Sequence, residues 1–141
     1  DGQKLTGLSL FDGDYLLSID EILREWLQWK EVTPKIEADI LATYGDKLAS
    51  EPDLGIRNNW WNPAWIPITS DGCGDNFCID LDPTEEGTFG QIIRMIHDHP
   101  RRELQANSFD SWINQYISDL EADKYYFSGS IGWGGLLRIT D

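Results

Sequence analysis

Apolar residues recur at helical spacing near both ends of the chain and alternate at strand spacing between them. After Ser18, the residues Ile19, Ile22, Leu23, Trp26 and Leu27 fall on one helical face. Ser18 and Glu21 have the spacing of a capping box, in which each side chain satisfies a backbone donor left free at the helix start. Asp20, Glu21 and Glu25 lie in or near the first turns, where the helix dipole favours anions. A second helix is predicted from Thr33, with Pro34 in its first position. Ile36, Ile40, Leu41 and Tyr44 keep its phase, and Gly45 marks its stop. A third runs from Ser108, a natural N-cap, to Ala122. Phe109, Trp112, Ile113, Tyr116, Ile117 and Leu120 form its unbroken stripe.

Between the helices the period shifts towards two. Trp65 to Thr69 is β-prone, with Pro67 indicating an edge or a bulge because it lacks a donor. Asp71-Gly72-Cys73-Gly74-Asp75 reads as a turn. From Asn76 to Asp82, Phe77, Ile79 and Leu81 alternate with Cys78, Asp80 and Asp82, so the two sets face opposite sides. Glu85 to Thr88 is another turn, and Phe89 to His97 a further strand around Ile92, Ile93 and Ile96. Leu8, Leu10 and Tyr15-Leu16-Leu17 suggest short strands split by Asp12-Gly13-Asp14, and Tyr125-Tyr126-Phe127 and Leu136 to Ile139 suggest closing strands. Asp1-Gly2-Gln3 reads as a turn, and Leu48 to Asn59 and the segment around Pro100-Arg101-Arg102 as loops. This order predicts an α+β fold, a twisted and largely antiparallel sheet flanked by helices, in one domain over residues 1–141.

Charge narrows the partners. The chain carries 25 Asp and Glu against 11 Lys and Arg, a formal net charge of −14, which repels phosphate backbones and anionic membrane surfaces. No apolar run reaches the length of a membrane span. With 40% hydrophobic residues and seven Trp the chain has the means to build a core, which argues against disorder. Cys73 and Cys78 are too few for a disulfide scaffold or a four-cysteine zinc site. Cys78 reads as a small core residue and Cys73 as part of a turn, which fits a reducing, cytoplasmic setting.

Each chemical candidate has a simpler reading. Asp80 and Asp82 share a strand face, whereas a carboxylate hydrolase needs two acids in different environments, one with a raised pKa. The acids Asp71, Asp75, Asp80 and Asp82 do not match a calcium ladder, and they fit turns and a solvated sheet face better. His97-Asp98-His99 offers two imidazoles without the third ligand that zinc requires, and it reads as a loop. Ser128-Gly129-Ser130 lacks the flanks of a nucleophile elbow, and Gly132-Trp133-Gly134-Gly135 lacks the lysine of a phosphate loop. Trp26 and Trp112 lie on helix stripes and belong to the core, whereas Trp60 and Trp61 are candidate interface anchors. No catalytic residue, cofactor or metal is expected.

The run Asn62-Pro63-Ala64-Trp65-Ile66-Pro67-Ile68, then Asp71 to Asn76, then Cys78-Ile79-Asp80-Leu81-Asp82-Pro83 resembles the SUKH superfamily, which includes the Smi/Knr-type domains. The match continues through Gly87-Thr88-Phe89-Gly90-Gln91-Ile92-Ile93, His97-Asp98, Ser108-Phe109 with Trp112, and Asp119-Leu120-Glu121-Ala122. Upstream, Asp1-Gly2-Gln3, Leu10-Phe11, Leu16-Leu17-Ser18 and Trp26 keep the family's early order. The resemblance implies an α+β fold, with one or more helices ahead of the Asp-Gly-Gln turn. This chain is therefore expected to lack an N-terminal helical segment.

The resemblance also implies a binding role without catalysis. Bacterial members act as immunity proteins against polymorphic toxins, often nucleases, and fungal relatives are linked to cell-wall synthesis and signalling scaffolds. The leading expectation is an immunity protein whose acidic surface meets a basic toxin domain. The alternative is a regulatory scaffold in cell-wall synthesis and stress signalling, and a hydrolase using Asp80 and Asp82 is a weaker third. Charge and loop position, not the resemblance, single out Asp71, Asp75, Glu85 and Glu86 as contact residues, with Trp60 or Trp61 as anchors.

Overall fold

The computed structural model describes residues 9–45, 49–129 and 134–140. The Asp1-Gly2-Gln3 turn, Leu8, Leu48, Ser130 and Gly132-Trp133 lie outside them. Strands are β1 (Tyr15–Leu16), β2 (Glu51–Pro52), β3 (Trp65–Pro67), β4 (Thr69–Ser70), β5 (Asn76–Asp80), β6 (Gln91–Met95), β7 (Arg101–Ala106), β8 (Tyr125–Ser128) and β9 (Gly135–Arg138). Helices are α1 (Ile19–Tyr44) and α2 (Phe109–Glu121). A mixed five-stranded sheet has the order β2-β7-β6-β5-β3, and the pairs β1-β4 and β8-β9 are separate. Every pairing is antiparallel except β2 with β7. The fold is α+β, as the residue pattern predicts.

Strand parity sets two layers. Asn76 pairs with Met95, Cys78 with Ile93 and Asp80 with Gln91, so these side chains share one face. α1 covers that face, and Trp29 donates its indole N–H to Asn76 Oδ1 at 3.0 Å. Phe77, Ile79, Ile92 and Arg94 lie on the other face, where Trp112 of α2 stands 5.3 Å from Phe77. The main core, on the α1 side, gathers Trp29, Ile56, Trp61, Trp65, Cys78, Ile93 and Met95.

Four expectations need correction. First, no new helix begins at Thr33. α1 runs unbroken for 26 residues with Pro34 inside it. Pro34 and Lys30 both lie on the exposed side, so water reaches the carbonyl that proline leaves unpaired. Trp29, Thr33 and Ile36 stay on the inner side, and the Thr33 hydroxyl donates to the Trp29 carbonyl at 2.6 Å. Second, Ile19, Leu23 and Leu27 of the predicted stripe are exposed, because the helix turns Trp26, Trp29 and Ile36 to the sheet. Third, Arg101–Ala106 is a strand, not a loop. Three of its six residues are charged and its one fully buried side chain is Arg102, which hides it from a hydrophobicity reading. The short β2, within the predicted Leu48–Asn59 loop, pairs with it. Fourth, Asp80 is not on a solvated face but is fully buried, because both faces of the sheet are covered.

Helix ends follow the sequence. Ser18 caps α1 in a capping box, with Glu21 Oε2 accepting the Ser18 N–H at 2.7 Å, an arrangement worth about 1 kcal/mol. Ser108 caps α2 through the Ser111 N–H at 3.0 Å. Pro67 lies on the edge strand β3, and the chain changes sheets at Ile68 between β3 and β4. Buried Asp119 ties α2 to the closing hairpin through Lys124 (2.9 Å) and Arg138 (2.8 Å), and these bonds, Lys124 first, hold its carboxyl well below the usual range.

Candidate functional site

The six residues singled out by charge and loop position do not form one surface. Asp71 and Asp75 precede β5, while Glu85 and Glu86 follow it, at the opposite end of a strand about 17 Å long. Asp71 Oδ1 accepts the backbone N–H groups of Cys73, Gly74 and Asp75 at 2.8, 3.0 and 2.9 Å, so it builds its own turn. Glu85 and Glu86 are exposed, and Glu86 accepts the Thr84 hydroxyl at 2.7 Å.

The tryptophan expectation needs correction at Trp61. It is 4% exposed, stacked 6.4 Å from Trp29 and edge-on at 6.0 Å to Trp26, and it serves the core rather than a surface. Trp60 is half-buried beneath Arg102, whose guanidinium lies 4.9 Å from its ring centre. Arg102 is fully buried, and no ion pair among the described residues engages it. It donates to the carbonyls of Trp60 (2.7 Å), Ile96 (3.3 Å), His99 (2.7 Å) and Arg101 (2.6 Å). Burial lowers its pKa to about 10, so it remains a cation at neutral pH.

Asp80 and Asp82 have diverging environments. Burial, the largest influence, raises the Asp80 pKa against hydrogen bonds from the Asp82 N–H at 2.9 Å and the Gln91 amide at 2.8 Å. Asp82 is held low, first by the Asn62 amide at 3.0 Å and then by Arg57 at 2.8 Å. Split carboxylates can mark acid–base sites, but here Asp80 spends both oxygens on protein groups. Gln91 also donates to the Gly55 carbonyl at 3.0 Å and accepts the Thr88 N–H at 3.0 Å. Gly87 packs against Gly55 so closely that a Cβ would stand 2.3 Å from the Gly55 oxygen. The Gly87-Thr88 and Gly90-Gln91 positions therefore fasten the β5–β6 turn to the segment after β2.

His97 is latched to Asp75. Asp75 Oδ1 accepts the His97 backbone N–H at 2.9 Å and meets Nδ1 at 2.8 Å. Nδ1 also lies 4.0 Å from Asp98, and the donors of Asp75, His97 and Asp98 converge within 4.8 Å, a spacing within reach of a metal ion. Arg94 lies beside them, 3.9 Å from Asp75 and 2.6 Å from Asp14. The Asp75 hydrogen bond, opposed by desolvation, raises the His97 pKa above its ordinary 6.5. A raised value in the folded state means that the latch stabilises fully below about pH 6.5 and fades as pH rises through the folded pKa. Proton NMR titration is expected to place the His97 midpoint above 6.5, and Asp75→Asn to lower it.

Among the open grooves on the described surface, four stand out. One of about 400 Å³ separates α1 from the turn after β4, with Glu25, Trp29, Val32 and Ile36 on the helix wall and Cys73 and His97 opposite. A second of about 430 Å³ shares Glu25, Ser70 and Gly72 with it. A third of about 470 Å³ reaches the same turn from the Asp12-Gly13-Asp14 side. The fourth, about 260 Å³, lies by α2 among Phe77, Trp112, Tyr116 and Tyr125. The residue pattern missed the first groove because a helix broken at Pro34 separates Glu25, Trp29 and Val32 from Ile36. Read through the proline, these positions share one face. Cys73 is exposed, Cys78 is buried, and both thiols are free. No helix among the described residues is long and apolar enough to cross a membrane.

Comparisons with known proteins match this geometry to a family. The model described as "SMI1 / KNR4 family (SUKH-1)" matches residues 1–115. A "Glucan synthesis regulatory protein" of Neurospora crassa is 26% identical over 89% of this chain and 29% of its own length. The "Cell wall biosynthesis/cell cycle regulator smi1" of Schizosaccharomyces pombe is 30% identical over 89% of this chain and 26% of its own. The "Cell wall assembly regulator SMI1" of Saccharomyces cerevisiae is 24% identical over 89% of this chain and 30% of its own. The chain thus spans less than a third of each of these relatives. Their names correct the expectation of a toxin-immunity protein. They describe regulators of wall synthesis and assembly, the reading placed second from the sequence.

Proposed function

Because the chain belongs to the SMI1/KNR4 family (SUKH-1), we propose that it acts as a non-catalytic, protein-binding module of a cell-wall regulator. The observation that carries this reading is the set of regulator names attached to relatives that align with 89% of the chain. The side chains support it. Asp80 is bound to Gln91, Asp82 to Arg57 and Asn62, and His97 to Asp75, so the best acid–base candidates hold the fold together. The partner is a protein, and the acid excess favours a basic surface on it.

A segment exchange tests the proposal. The matching segment of smi1 in Schizosaccharomyces pombe is replaced by this chain, and the gene is returned to cells that lack it. Restored wall glucan content and resistance to glucanase digestion support the regulator reading. A chimera that is expressed and folded but restores neither overturns it. Turnover of glycans or phosphoesters by the purified chain, lost in Asp80→Asn, would overturn the non-catalytic part.

A further inference from the structure

α1 has more apolar surface on its sheet side than the sheet covers. Trp29 is buried and Ile36 half-buried against the core, yet both also line the open groove of about 400 Å³. Val32, one turn on, is 38% exposed. Glu25, Trp29, Val32 and Ile36 form a continuous row about 16 Å long on the groove side of the helix. The opposite wall is the turn from Ser70 to Gly74 together with His97. The groove thus has an apolar floor along one helix and a rigid polar wall built by the Asp71 and Asp75 hydrogen bonds.

Its charge identifies what fits. Glu25 stands where this groove joins its 430 Å³ neighbour and receives one amide hydrogen bond, from Asn76 at 3.3 Å. No ion pair among the described residues engages it. Asp71, Asp75 and Asp98 stand along or behind the opposite wall. Of the cations at that wall, His97 is paired with Asp75 at 2.8 Å when protonated, and Arg94 behind it is already held by Asp14 at 2.6 Å. Arg24 lines only the neighbouring groove. A second copy of a chain with net charge −14 would be repelled from this rim, whereas a basic segment would be drawn to it. We infer that the groove between α1 and the Ser70–Gly74 turn docks a short basic segment of a partner protein. That segment seats one bulky apolar side chain on Trp29, Val32 and Ile36 and places a Lys or Arg against Glu25.

This inference rests on the protein-binding reading and adds the place and chemistry of contact. The test pans a library of random 12-residue peptides displayed on phage against the whole chain. Enrichment of peptides that combine Lys or Arg with a Leu, Ile, Phe or Trp is expected. Synthetic copies are then measured by fluorescence anisotropy. Val32→Glu, a change on the exposed rim, is expected to weaken binding at least tenfold. Glu25→Gln is expected to weaken it about fivefold at low salt and less at high salt. The double change Glu85→Gln, Glu86→Gln at the far end of β5 is expected to leave affinity unchanged. Circular dichroism and a thermal melt verify that each variant is folded. No enrichment, enrichment of acidic peptides, or affinity indifferent to Val32→Glu and Glu25→Gln overturns the groove. The chimera keeps the two ideas apart. Rescue by the unmodified chain, with equal rescue by the Val32→Glu, Glu25→Gln chain, overturns the groove and leaves the regulator reading intact.

Discussion

Arg102→Met is expected to lower unfolding free energy by about 3 kcal/mol, the order of cost when partly buried carbonyls lose their donor. Methionine fills much of the aliphatic volume but donates no hydrogen bond. The carbonyls of Trp60, Ile96, His99 and Arg101 then lose a shared donor. A buried acceptor left unpaired costs about 1–3 kcal/mol, but His99 and Arg101 are exposed residues whose carbonyls water reaches more easily, and neighbours that relax together do not sum fully. Trp60 also loses the cation above its ring. Arg102→Lys keeps the charge but not the planar fork, so it should fall between methionine and the native residue. Denaturant unfolding followed by tryptophan fluorescence measures all three. A loss below about 1 kcal/mol for Arg102→Met would show that the loops hold without their arginine.

Gly87→Ala is expected to cost about 3 kcal/mol, the upper end for overpacking. The added methyl would stand 2.3 Å from the Gly55 oxygen and 2.7 Å from the Pro83 Cβ. Backbone cannot rotate aside as a side chain can, so the two turns must separate. Separation also stretches the 3.0 Å bond from Gln91 to the Gly55 carbonyl and loosens the partner of buried Asp80. Gly129→Ala is the control, because among the described residues its Cβ would meet only Phe127 at 3.8 Å, and it should change stability by less than about 0.5 kcal/mol. Equal melting curves for the two variants would overturn the argument.

These two positions show what could be read from residues alone. α2 was legible from its stripe and its Ser108 cap, although Phe109 and Ile117 of that stripe are exposed and its buried residue is Asp119. β5 was legible by alternation, but its more deeply buried side was not. Phe77 and Ile79 are half-buried, whereas Asn76, Cys78 and Asp80 are buried. Periodicity separates two faces; it does not say that a second helix covers the polar one. β7 was hidden because its inward side chain is an arginine, and an arginine surrounded by carbonyls looks in sequence like one in a loop. Of the six singled-out residues, the four acids divide between two turns and Trp61 lies inside. The groove escaped because its walls come from one helix and two turns distant in sequence, and because proline is ordinarily read as a stop.

The unbroken α1 has a mechanical consequence. At 26 residues it is about 39 Å long, while the central strands span about 17 Å. Ile36 is the last of its residues packed on the main core, and Leu41 and Tyr44 are 56% and 66% exposed. Pro34 also removes one rung of the amide ladder at the point where burial runs out. In hydrogen exchange the helix should therefore behave as two units. Amides near Trp29 and Thr33 should open only with the whole domain, and those from Ile40 to Tyr44 by fraying from the free end. Fraying confined to Ile40–Tyr44 leaves Glu25, Trp29, Val32 and Ile36 of the groove wall standing.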